Sequence, residues 1–357
     1  MIEFDYAALR AIGLTQALIN QLYASEIHDD AQLARITELQ RDRLTVHDGR
    51  QEILVRAMPH LVASLQAQAT ALSVGDWVLV QHNALNEPWI VAQLPPLTHL
   101  ARRANDGRRQ PLVSNVDTAL LVMGLDHDFN LRRLERYAAL VRSAGVAAVV
   151  VLSKVDTCAD AAAKQQQVQD RLPASVPVLA INGLDPASVA QLDPWLGAGQ
   201  TLVLLGSSGA GKSTLTNTLT AGSAGQSTGA VREADSRGRH TTRARSLHCC
   251  ADGSCIIDTP GLRTWRPDED SEGISAGFED IDALAGQCRF RDCQHEDEPG
   301  CAVREVVPAD RLRNYHKLLR EARRGTQTAL ERKAATAKWK VIGKAGYERQ
   351  RQKRGGA

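Results

Sequence analysis

The stretch Thr201–Asn217, TLVLLGSSGAGKSTLTN, decides the fold of this 357-residue chain. Its apolar run from Leu202 to Leu205 has the composition of a buried parallel strand. The glycine-rich run Gly206–Ser213 and a helical pattern follow, which is the strand, loop and helix context of a phosphate-binding loop. In such a loop the backbone N–H groups surround an anion, and the following helix adds the positive end of its dipole. The stretch therefore predicts a nucleotide-binding α/β domain.

The residues of this loop have expected roles in nucleotide binding. Lys212 reaches the β- and γ-phosphates, and the Ser213 hydroxyl supplies one oxygen to Mg²⁺. Lys212 is therefore also a candidate catalytic residue. The predicted phosphate-binding set is Gly206, Ser207, Ser208, Gly209, Ala210, Gly211, Lys212, Ser213 and Thr214.

A second acidic motif belongs to the same site. The run DTPG, Asp258 to Gly261, follows the apolar run Cys255 to Ile257, so Asp258 is expected at the carboxyl end of a strand. Ligands of open α/β sheets bind at that edge. We expect Asp258 to hold Mg²⁺ through water and the Gly261 N–H to contact the γ-phosphate.

A long polar segment, Gly225–Arg243, lies between these two motifs and has no hydrophobic periodicity. Long polar loops beside a catalytic site are usually functional. Thr241 or Thr242 offers the second protein oxygen to Mg²⁺. His240 is the obvious group for positioning or deprotonating the attacking water, and its alternative is a histidine on a surface loop.

The run SKVD, Ser153–Asp156, follows a buried apolar strand and identifies the base. GTPases read guanine with an Asn-Lys-x-Asp turn, whose aspartate accepts the N1–H and the N2 amino group of guanine. Adenine offers no such pair, and a site built for these hydrogen bonds discriminates strongly. Asp156 fills the reading position, Lys154 lies over the base, Val155 is the variable residue, and Ser153 replaces the asparagine.

The order of the motifs differs from that of ordinary GTPases, which run phosphate loop, threonine loop, DxxG and base-reading turn. Here the base-reading turn precedes the phosphate loop, and so does Val178–Asn182, which we expect to contact the edge of the base. This order predicts a circularly permuted GTPase. Asp258–Gly261 then leads directly into the C-terminal domain, to which we expect a switch motion to be transmitted.

A cysteine and histidine cluster follows the predicted GTPase domain. Cys288, Cys293, His295 and Cys301 supply four nitrogen or sulfur ligands within 14 residues. Three thiolates and one imidazole form the closed tetrahedral set of a structural zinc site. We therefore expect one Zn²⁺ per subunit. Seven cysteines in a chain with cytosolic features make a disulfide framework improbable.

Charge is unevenly distributed along the chain. The net charge is only +2, but Val303–Ala357 holds 16 lysines and arginines against five acids, which is +11 and leaves −9 for the remainder. Basic helices over 309–322 and 327–341, with Tyr315, Trp339 and Tyr347 nearby, suit RNA through phosphate contacts and stacking. The alternative is a solvated helix.

The N-terminal part divides into two patterns. Residues 1 to about 35 carry apolar residues at helical spacing, and residues 40–97 carry short β-like runs separated by turns. The runs predict a small barrel, and the strand pattern leaves OB-type and SH3-like barrels open. The basic run Ala101–Arg109 is expected to be an exposed linker. It either contacts phosphate groups or is simply a solvated loop.

These patterns together predict an α/β P-loop NTPase core with an OB-like β-barrel before it and a zinc-binding α-helical domain after it. The predicted boundaries are 1–38 for a helical extension, 39–110 for the barrel, 111–266 for the permuted GTPase domain and 267–357 for the zinc domain with its basic tail. No apolar run approaches the roughly 20 residues of a membrane span. We expect a cytoplasmic monomer that does not bind membranes.

The motifs GSSGAGKSTL, GRHTT, DTPG and CRFRDCQHEDEPGC closely resemble those of the small-ribosomal-subunit-dependent GTPase A family, RsgA or YjeQ. The runs DHDFNLRRLERY and GDWVLV are also similar to that family. The resemblance covers roughly residues 40 to 325. It implies a GTPase that binds GTP and GDP, acts late in maturation of the 30S subunit, contacts 16S rRNA and is stimulated by the subunit. The catalytic histidine of the family falls on His240.

Two other functions stay open at this point. One is an ATP-using P-loop enzyme, which requires that Asp156 does not contact the base. The other is an RNA-binding assembly factor for which GTP or GDP is a regulatory ligand with little hydrolysis. Nucleotide competition distinguishes the first alternative, and loss or retention of stimulated turnover on replacement of His240 bears on the second.

Overall fold

The computed structural model of the chain describes residues 4–24, 30–40, 43–103, 109–220, 245–250, 252–260 and 278–326. The strands are β1 (Gln32–Leu39), β2 (Leu44–His47), β3 (Glu52–Ala57), β4 (Trp77–His82), β5 (Pro88–Gln93), β6 (His99–Arg103), β7 (Arg109–Ser114), β8 (Thr118–Gly124), β9 (Ala147–Ser153), β10 (Val178–Ile181), β11 (Thr201–Leu205), β12 (Ser246–Cys249) and β13 (Cys255–Asp258). The α-helices are α1 (Tyr6–Ala11), α2 (Gln16–Ala24), α3 (Pro59–Ala67), α4 (Leu131–Ser143), α5 (Ala161–Gln169), α6 (Pro186–Val189), α7 (Lys212–Thr220), α8 (Glu279–Ala285), α9 (Ala302–Val306) and α10 (Ala309–Thr326).

The predicted α/β core is confirmed. Its strands are ordered β10-β9-β8-β11-β13-β12, and β10, β9, β8, β11 and β13 are mutually parallel. One face packs apolar side chains against α4, while the other carries a second apolar cluster that includes Leu215 of α7. Because parallel strands are covered on both faces, they read as the continuous apolar runs seen in the sequence. The Asn130 side chain caps helix α4 by accepting from the Arg133 N–H.

The N-terminal barrel is of the OB type. Its strands follow the order β1-β2-β3-β5-β4, and pairing of β1 with β4 closes the circuit. Helix α3 connects β3 to β4. A five-stranded closed barrel with this strand order has the OB topology. The strand pattern in the sequence had left OB-type and SH3-like barrels open, and the structure selects the OB type. Small apolar side chains fill its interior: Ala34, Ile36, Val46, Val55, Val78, Val80 and Ile90.

The predicted boundary between the helical extension and the barrel at residue 38 is wrong. Two helices do occupy the start of the chain, but β1 begins at Gln32 and is part of the barrel. Alternate residues of β1 face two different cores, with Ala34 and Ile36 inside the barrel and Leu33 in the larger core that includes the N-terminal helices and the GTPase sheet. A strand buried on both faces lacks the apolar and polar alternation by which strands are recognised.

The basic run Ala101–Arg109 also differs from the expectation of a linker. Its two ends belong to β6 and β7, which pair with each other as an antiparallel hairpin. Strand β12 was not predicted either, because its sequence SLHC has only one strongly apolar residue. It pairs with β13 on one side and, through Glu38 and Ser246, with β1 of the barrel on the other.

A buried arginine joins the barrel to the GTPase sheet. Arg35 of β1 is fully buried and donates to the carbonyl oxygens of Ile12 at 2.6 Å, Asn115 at 2.9 Å and Gly75 at 3.3 Å. It also donates to the Thr201 hydroxyl at 3.0 Å, at the start of β11. The guanidinium therefore links the N-terminal helices, the barrel and two strand starts of the GTPase domain. Such a desolvated charge is tolerated because its donors are satisfied.

The C-terminal helices pack against α4 through a second buried charge network. Glu135 of α4 is 1% exposed and accepts from Arg311 at 3.0 Å, Asn314 at 2.8 Å and Arg171 at 3.3 Å. Arg311 also binds Asp280 with two hydrogen bonds of 2.9 and 2.6 Å. Within the described segments, no helix has the length and apolarity to cross a membrane.

Replacing Arg35 with alanine should destabilise the protein by about 3 kcal/mol or more, because the buried carbonyl groups of Ile12 and Asn115 lose the guanidinium donor and a cavity is left. Urea unfolding followed by circular dichroism measures this loss. The matched control is Arg50→Ala in the same barrel, where the side chain is 73% exposed and pairs with Asp5. Equal shifts for the two variants would contradict the role assigned to Arg35.

Candidate nucleotide-binding and metal sites

The phosphate-binding loop lies between the central strand β11 and helix α7, as predicted. Two of its glycines are required by their surroundings. A Cβ on Gly206 would collide with the carbonyl group of Val122. Gly211 has φ of +92°, and a Cβ there would lie 3.3 Å from the Ser153 hydroxyl oxygen. The loop therefore lies close to the ends of β8 and β9.

Lys212 is buried within the loop that it belongs to. Its Nζ donates to the carbonyl oxygens of Gly206 at 3.1 Å and Ser207 at 2.9 Å. Burial lowers the pKa of Lys212, while the charges of Asp258 and Asp128 oppose that shift. The loop carbonyls thus hold the Lys212 ammonium group at the place where phosphate oxygens would bind.

The two predicted Mg²⁺ ligands described by the structure lie together. The Ser213 hydroxyl at the start of α7 donates to Asp258 Oδ2 at 3.3 Å. Asp258 ends β13 and is aligned with Leu204 of β11 by the parallel register. The adjacent Thr259 hydroxyl donates to the Leu204 carbonyl at 2.6 Å, which ties this turn to the central strand. A hydroxyl and a carboxylate are the kinds of oxygen donor that Mg²⁺ takes in P-loop proteins, so the pair agrees with the predicted Mg²⁺ ligands.

The predicted base-reading turn, Ser153–Asp156, is hydrogen-bonded directly to the phosphate-binding loop. The Ser153 hydroxyl donates to the Ala210 carbonyl at 2.6 Å. Lys154 has φ of +62°, and its Nζ donates to the Gly209 carbonyl at 2.7 Å. Ser153 therefore keeps a connection to the loop although it is shorter than asparagine. Asp156 follows in a short 3-10 turn, Val155–Thr157, and is exposed.

The segment after β10 lies beside α7. The Thr218 hydroxyl donates to the Gly183 carbonyl at 2.6 Å, and the Asn182 Oδ1 accepts from the Leu184 N–H at 3.1 Å. A Cβ on Gly183 would lie 3.8 Å from the Thr214 side chain. The predicted base-edge segment and the end of the phosphate-binding set are thus neighbours.

Two carboxylates in the loop after β8 join this site and were not predicted as site residues. Asp126 Oδ2 accepts from Lys154 Nζ at 2.8 Å. The Ser207 hydroxyl lies 2.6 Å from each carboxylate oxygen of Asp128 and donates to that group. Asp128 is also paired with Arg133 Nη2 at 2.6 Å. One short loop therefore supports both the base-reading turn and the phosphate-binding loop.

The electrostatics of Asp126 agree with this contact. Partial burial acts to raise its pKa, but the hydrogen bond and the charge of Lys154 outweigh burial and lower it. The sequence contained the necessary signal, because the run DHDF begins at Asp126, two residues after the apolar strand β8 ends at Gly124. Acidic residues at the carboxyl end of a parallel strand are expected at the ligand-binding edge.

Four predicted site residues lie outside the described part of the chain: His240, Thr241, Thr242 and Gly261. Among the described predictions, the structure brings together Ser153, Lys154, Lys212, Ser213 and Asp258 with the glycine-rich loop. The second predicted basic helix, 327–341, also lies outside the described residues.

The predicted cysteine and histidine cluster is assembled. The ligand atoms of Cys288, Cys293, His295 and Cys301 all lie within 4.8 Å of one another. Cys288 Sγ is 3.9 Å from Cys301 Sγ, and His295 Nδ1 is 3.4 Å from Cys301 Sγ. Tetrahedral Zn–S bonds of about 2.3 Å place sulfurs about 3.8 Å apart, so the donor set fits zinc. The cluster could hold a metal ion such as zinc.

The cluster lies at the edge of the core of the C-terminal helices. Cys288, Cys293 and Cys301 pack with a group of buried side chains contributed by α8, α9, α10 and neighbouring residues. These are Phe278, Ile281, Val303, Val307, Leu312, Tyr315 and Leu318. Because this core is small, a metal at its edge would act structurally, joining the loop that contains His295 to the helices.

Comparison of the sequence with known proteins gives a family of GTPases, in agreement with the nucleotide-binding site described above. The family model described as RsgA GTPase matches residues 94–267. A relative from Xanthomonas oryzae pv. oryzae (strain MAFF 311018), named small ribosomal subunit biogenesis GTPase RsgA, is 41% identical over 357 residues, covering 96% of each chain. The chain belongs to the RsgA GTPase family. It is accordingly a circularly permuted GTPase, and its activity is GTP hydrolysis.

Two solved structures share the fold of this family member. The crystal structure of YjeQ from Thermotoga maritima has a TM-score of 0.60 and 22% identity, and covers 82% of this chain and 98% of that one. YloQ, described as a circularly permuted GTPase, has a TM-score of 0.57 and 22% identity, and covers 85% of this chain and 99% of that one. Their topology agrees with the barrel and permuted core.

Replacing Asp128 with alanine should raise the KM for GTP about tenfold, since Ser207 loses a charge-assisted hydrogen bond that is worth about 1.5 kcal/mol or more. The kcat should change less, because Asp128 positions the phosphate-binding loop and does not contact the reacting atoms. Steady-state phosphate release measures both constants. Asp128→Asn keeps an acceptor and should recover part of the affinity, and the exposed Asp170→Ala serves as control. An unchanged KM in Asp128→Ala would contradict this role.

Proposed function

We propose that the protein binds the small (30S) ribosomal subunit, contacts 16S rRNA and acts in late maturation of the subunit, with the subunit stimulating GTP hydrolysis. The family relationship and the printed name of the Xanthomonas relative support the choice of partner. The observation that carries the GTP-dependent part is the hydrogen bonding of Ser153 and Lys154 to the phosphate-binding loop. It brings a base-reading turn and a phosphate site to one edge of the sheet.

The nucleotide site supplies the proposed chemistry. The phosphate-binding loop and Lys212 hold the phosphates, and Asp156 accepts from the guanine edge. Ser213 and Asp258 are the described candidates for Mg²⁺, with Thr241 or Thr242 supplying a further oxygen. His240 positions the attacking water, and the Gly261 N–H contacts the γ-phosphate. Positioning and charge neutralisation account for most of the catalysis of phosphoryl transfer.

The domains around the core have surfaces suited to RNA. On the barrel, the Arg56 guanidinium lies 5.9 Å from the centre of the Trp89 ring. Arg56 is exposed and Trp89 is half-buried. An arginine stacked on an aromatic ring can contact a phosphate and a base together. The basic C-terminal part adds sequence-independent attraction to rRNA. We propose that the protein acts as a cytoplasmic monomer, and that one Zn²⁺ stabilises its C-terminal domain.

The deciding experiment measures phosphate release from GTP and from ATP, each with and without purified 30S subunits. We expect hydrolysis of GTP alone, accelerated many-fold by the subunit. Indifference to the subunit would remove the proposed partner, and equal turnover of ATP would remove the proposed reading of guanine. In the same assay, His240→Ala should lose most of the stimulated turnover while it still binds the subunit. Full turnover in that variant would assign catalysis to another group.

Replacing Asp156 with asparagine should weaken GTP binding about a hundredfold, because an amide donor then faces the N1–H and N2 donors of guanine. Xanthosine triphosphate has a carbonyl in place of the N2 amino group, so its affinity should rise in the same variant. Competition binding with fluorescent nucleotides measures both changes. Asp160→Asn, four residues along the same loop, is the matched control. Unchanged preference for guanine would remove Asp156 from the base site.

Removal of the metal should unfold the C-terminal domain and leave the GTPase core folded. Cys301→Ser should lower the zinc content from about one per chain to near zero, since a closed structural site needs all four ligands. Elemental analysis measures the zinc, and limited proteolysis reports the state of the domain. Cys158→Ser, which alters a cysteine outside the cluster, should keep the metal. Stoichiometric zinc in Cys301→Ser would contradict the assignment of this ligand.

A further inference from the structure

The hairpin formed by β12 and β13 places two cysteines opposite each other. Cys249 and Cys255 are direct partners in the antiparallel register, and both are reduced thiols. The intervening turn is closed by the Gly253 N–H, which donates to the Cys250 carbonyl at 3.0 Å. Neither Cys249 nor Cys255 belongs to the zinc cluster. The assigned GTPase chemistry does not use either thiol.

The backbone hydrogen bonds show which kind of cross-strand pair this is. The Cys255 N–H donates to the Gln200 carbonyl at 2.8 Å, on the side of β11, and is therefore directed away from β12. A hydrogen-bonded antiparallel pair would require this N–H to point at Cys249. Cys249 and Cys255 consequently form a non-hydrogen-bonded pair, in which Cα atoms lie about 4.5 Å apart. That separation is within the range that a disulfide spans.

The side chains of the pair are directed to the same core and contact each other. Cys255 is buried in the apolar cluster between sheet and α4, and half-buried Cys249 packs against the same cluster. A hydrogen bond from the Cys249 thiol lowers the pKa of Cys255, burial opposes this, and the nearby charge of Arg35 assists it. The same hydrogen bond raises the pKa of Cys249. The neighbouring Cys250 packs against the opposite face of the sheet.

We propose that Cys249 and Cys255 are a modification site that forms a reversible intrachain disulfide in response to a peroxide oxidant. The half-buried Cys249 passes its thiol proton along its hydrogen bond to the Cys255 thiolate and attacks one peroxide oxygen. The O–O bond breaks, a sulfenic acid forms on Cys249, and the leaving hydroxide takes the proton back from Cys255 and becomes water. The Cys255 thiolate then attacks the Cys249 sulfur, the S–O bond breaks, and hydroxide leaves and is protonated to water. Two thiols and one peroxide thus give one disulfide and two waters. Because Cys255 acts from inside the core, it needs no access to the oxidant.

The disulfide would join β12 to β13, and each of these strands has a further structural connection. Strand β13 ends at Asp258, and β12 is the strand through which the GTPase sheet pairs with the barrel at Glu38 and Ser246. The bond closes a loop of seven residues, 249–255, around the hairpin turn. This inference goes beyond the proposed function, since the formation of the bond depends neither on the ribosomal subunit nor on GTP.

The test treats the zinc-loaded full chain with hydrogen peroxide, alkylates the remaining thiols and maps them by mass spectrometry. Cleavage after arginine releases Ser246–Arg263, which contains Cys249, Cys250 and Cys255 in one peptide. We expect this peptide to lose two hydrogens, to carry a single alkyl group and to carry it on Cys250. Treatment with a thiol reductant before alkylation should restore all three alkyl groups.

Serine variants provide the matched controls. Cys250→Ser should still form the disulfide, whereas Cys249→Ser and Cys255→Ser should each lose it. Circular dichroism checks the fold of each variant, and the mapping of the unmodified sequence decides the question even if a variant fails to fold. Alkylation of all three thiols after peroxide, or a disulfide that includes Cys250, would overturn the proposal.

Discussion

The parallel pairing of β9, β8, β11 and β13 is the constraint on which the active site depends. Parallel strands end at the same edge of a sheet, so the loops that follow these four strands meet there. Residues as far apart in the chain as Asp126 and Asp258 are brought to one side of the molecule in this way. The register then sets their depth, since Leu204 of β11 lies opposite Asp258. Circular permutation leaves this arrangement unchanged, because strand adjacency and not chain order determines which loops meet.

Within that edge, the predicted base-reading turn is coupled to the phosphate-binding loop through backbone carbonyls. Ser153 and Lys154 donate to consecutive carbonyl groups of the phosphate-binding loop, Ala210 and Gly209. A backbone acceptor is present whatever side chain stands at its position. The shorter serine can therefore replace the asparagine of the usual motif, provided that the loop approaches closely. Gly211, which lies beside Ser153, permits that approach.

Buried charges lie at both joints between the domains and help to determine how they are placed. Arg35 binds carbonyl groups at the joint between barrel and sheet, and Glu135 binds Arg311 and Asn314 at the joint with the C-terminal helices. Desolvating a charge costs several kcal/mol unless every hydrogen bond is made. Misplaced domains would leave these groups without partners. Such networks consequently favour one relative placement of the domains over others that bury similar apolar area.

Much of the architecture could be predicted from short-range pattern. The phosphate-binding loop, the α4 helix, the core strands and the zinc-type ligand spacing are local signals, and each is present in the structure. The sequence predicted that a small barrel is present, but it did not predict the first barrel strand or the type of barrel. Strand β1 is buried on both faces, β12 is largely polar, and the β6–β7 hairpin is basic, so each lacks the alternation that marks a strand.

The sequence by itself identified a GTPase, because phosphate loops and guanine-reading turns require particular residue types at fixed spacing. Only the tertiary structure decided which residues support them. Asp126 and Asp128 become part of the site through contacts with Lys154 and Ser207, which lie far along the chain. Likewise, Cys249 and Cys255 become a close pair through strand register. Such contacts depend on the packing of strands that are distant in sequence. A local pattern can place Asp126 and Asp128 at the ligand-binding edge, but it does not identify their partners.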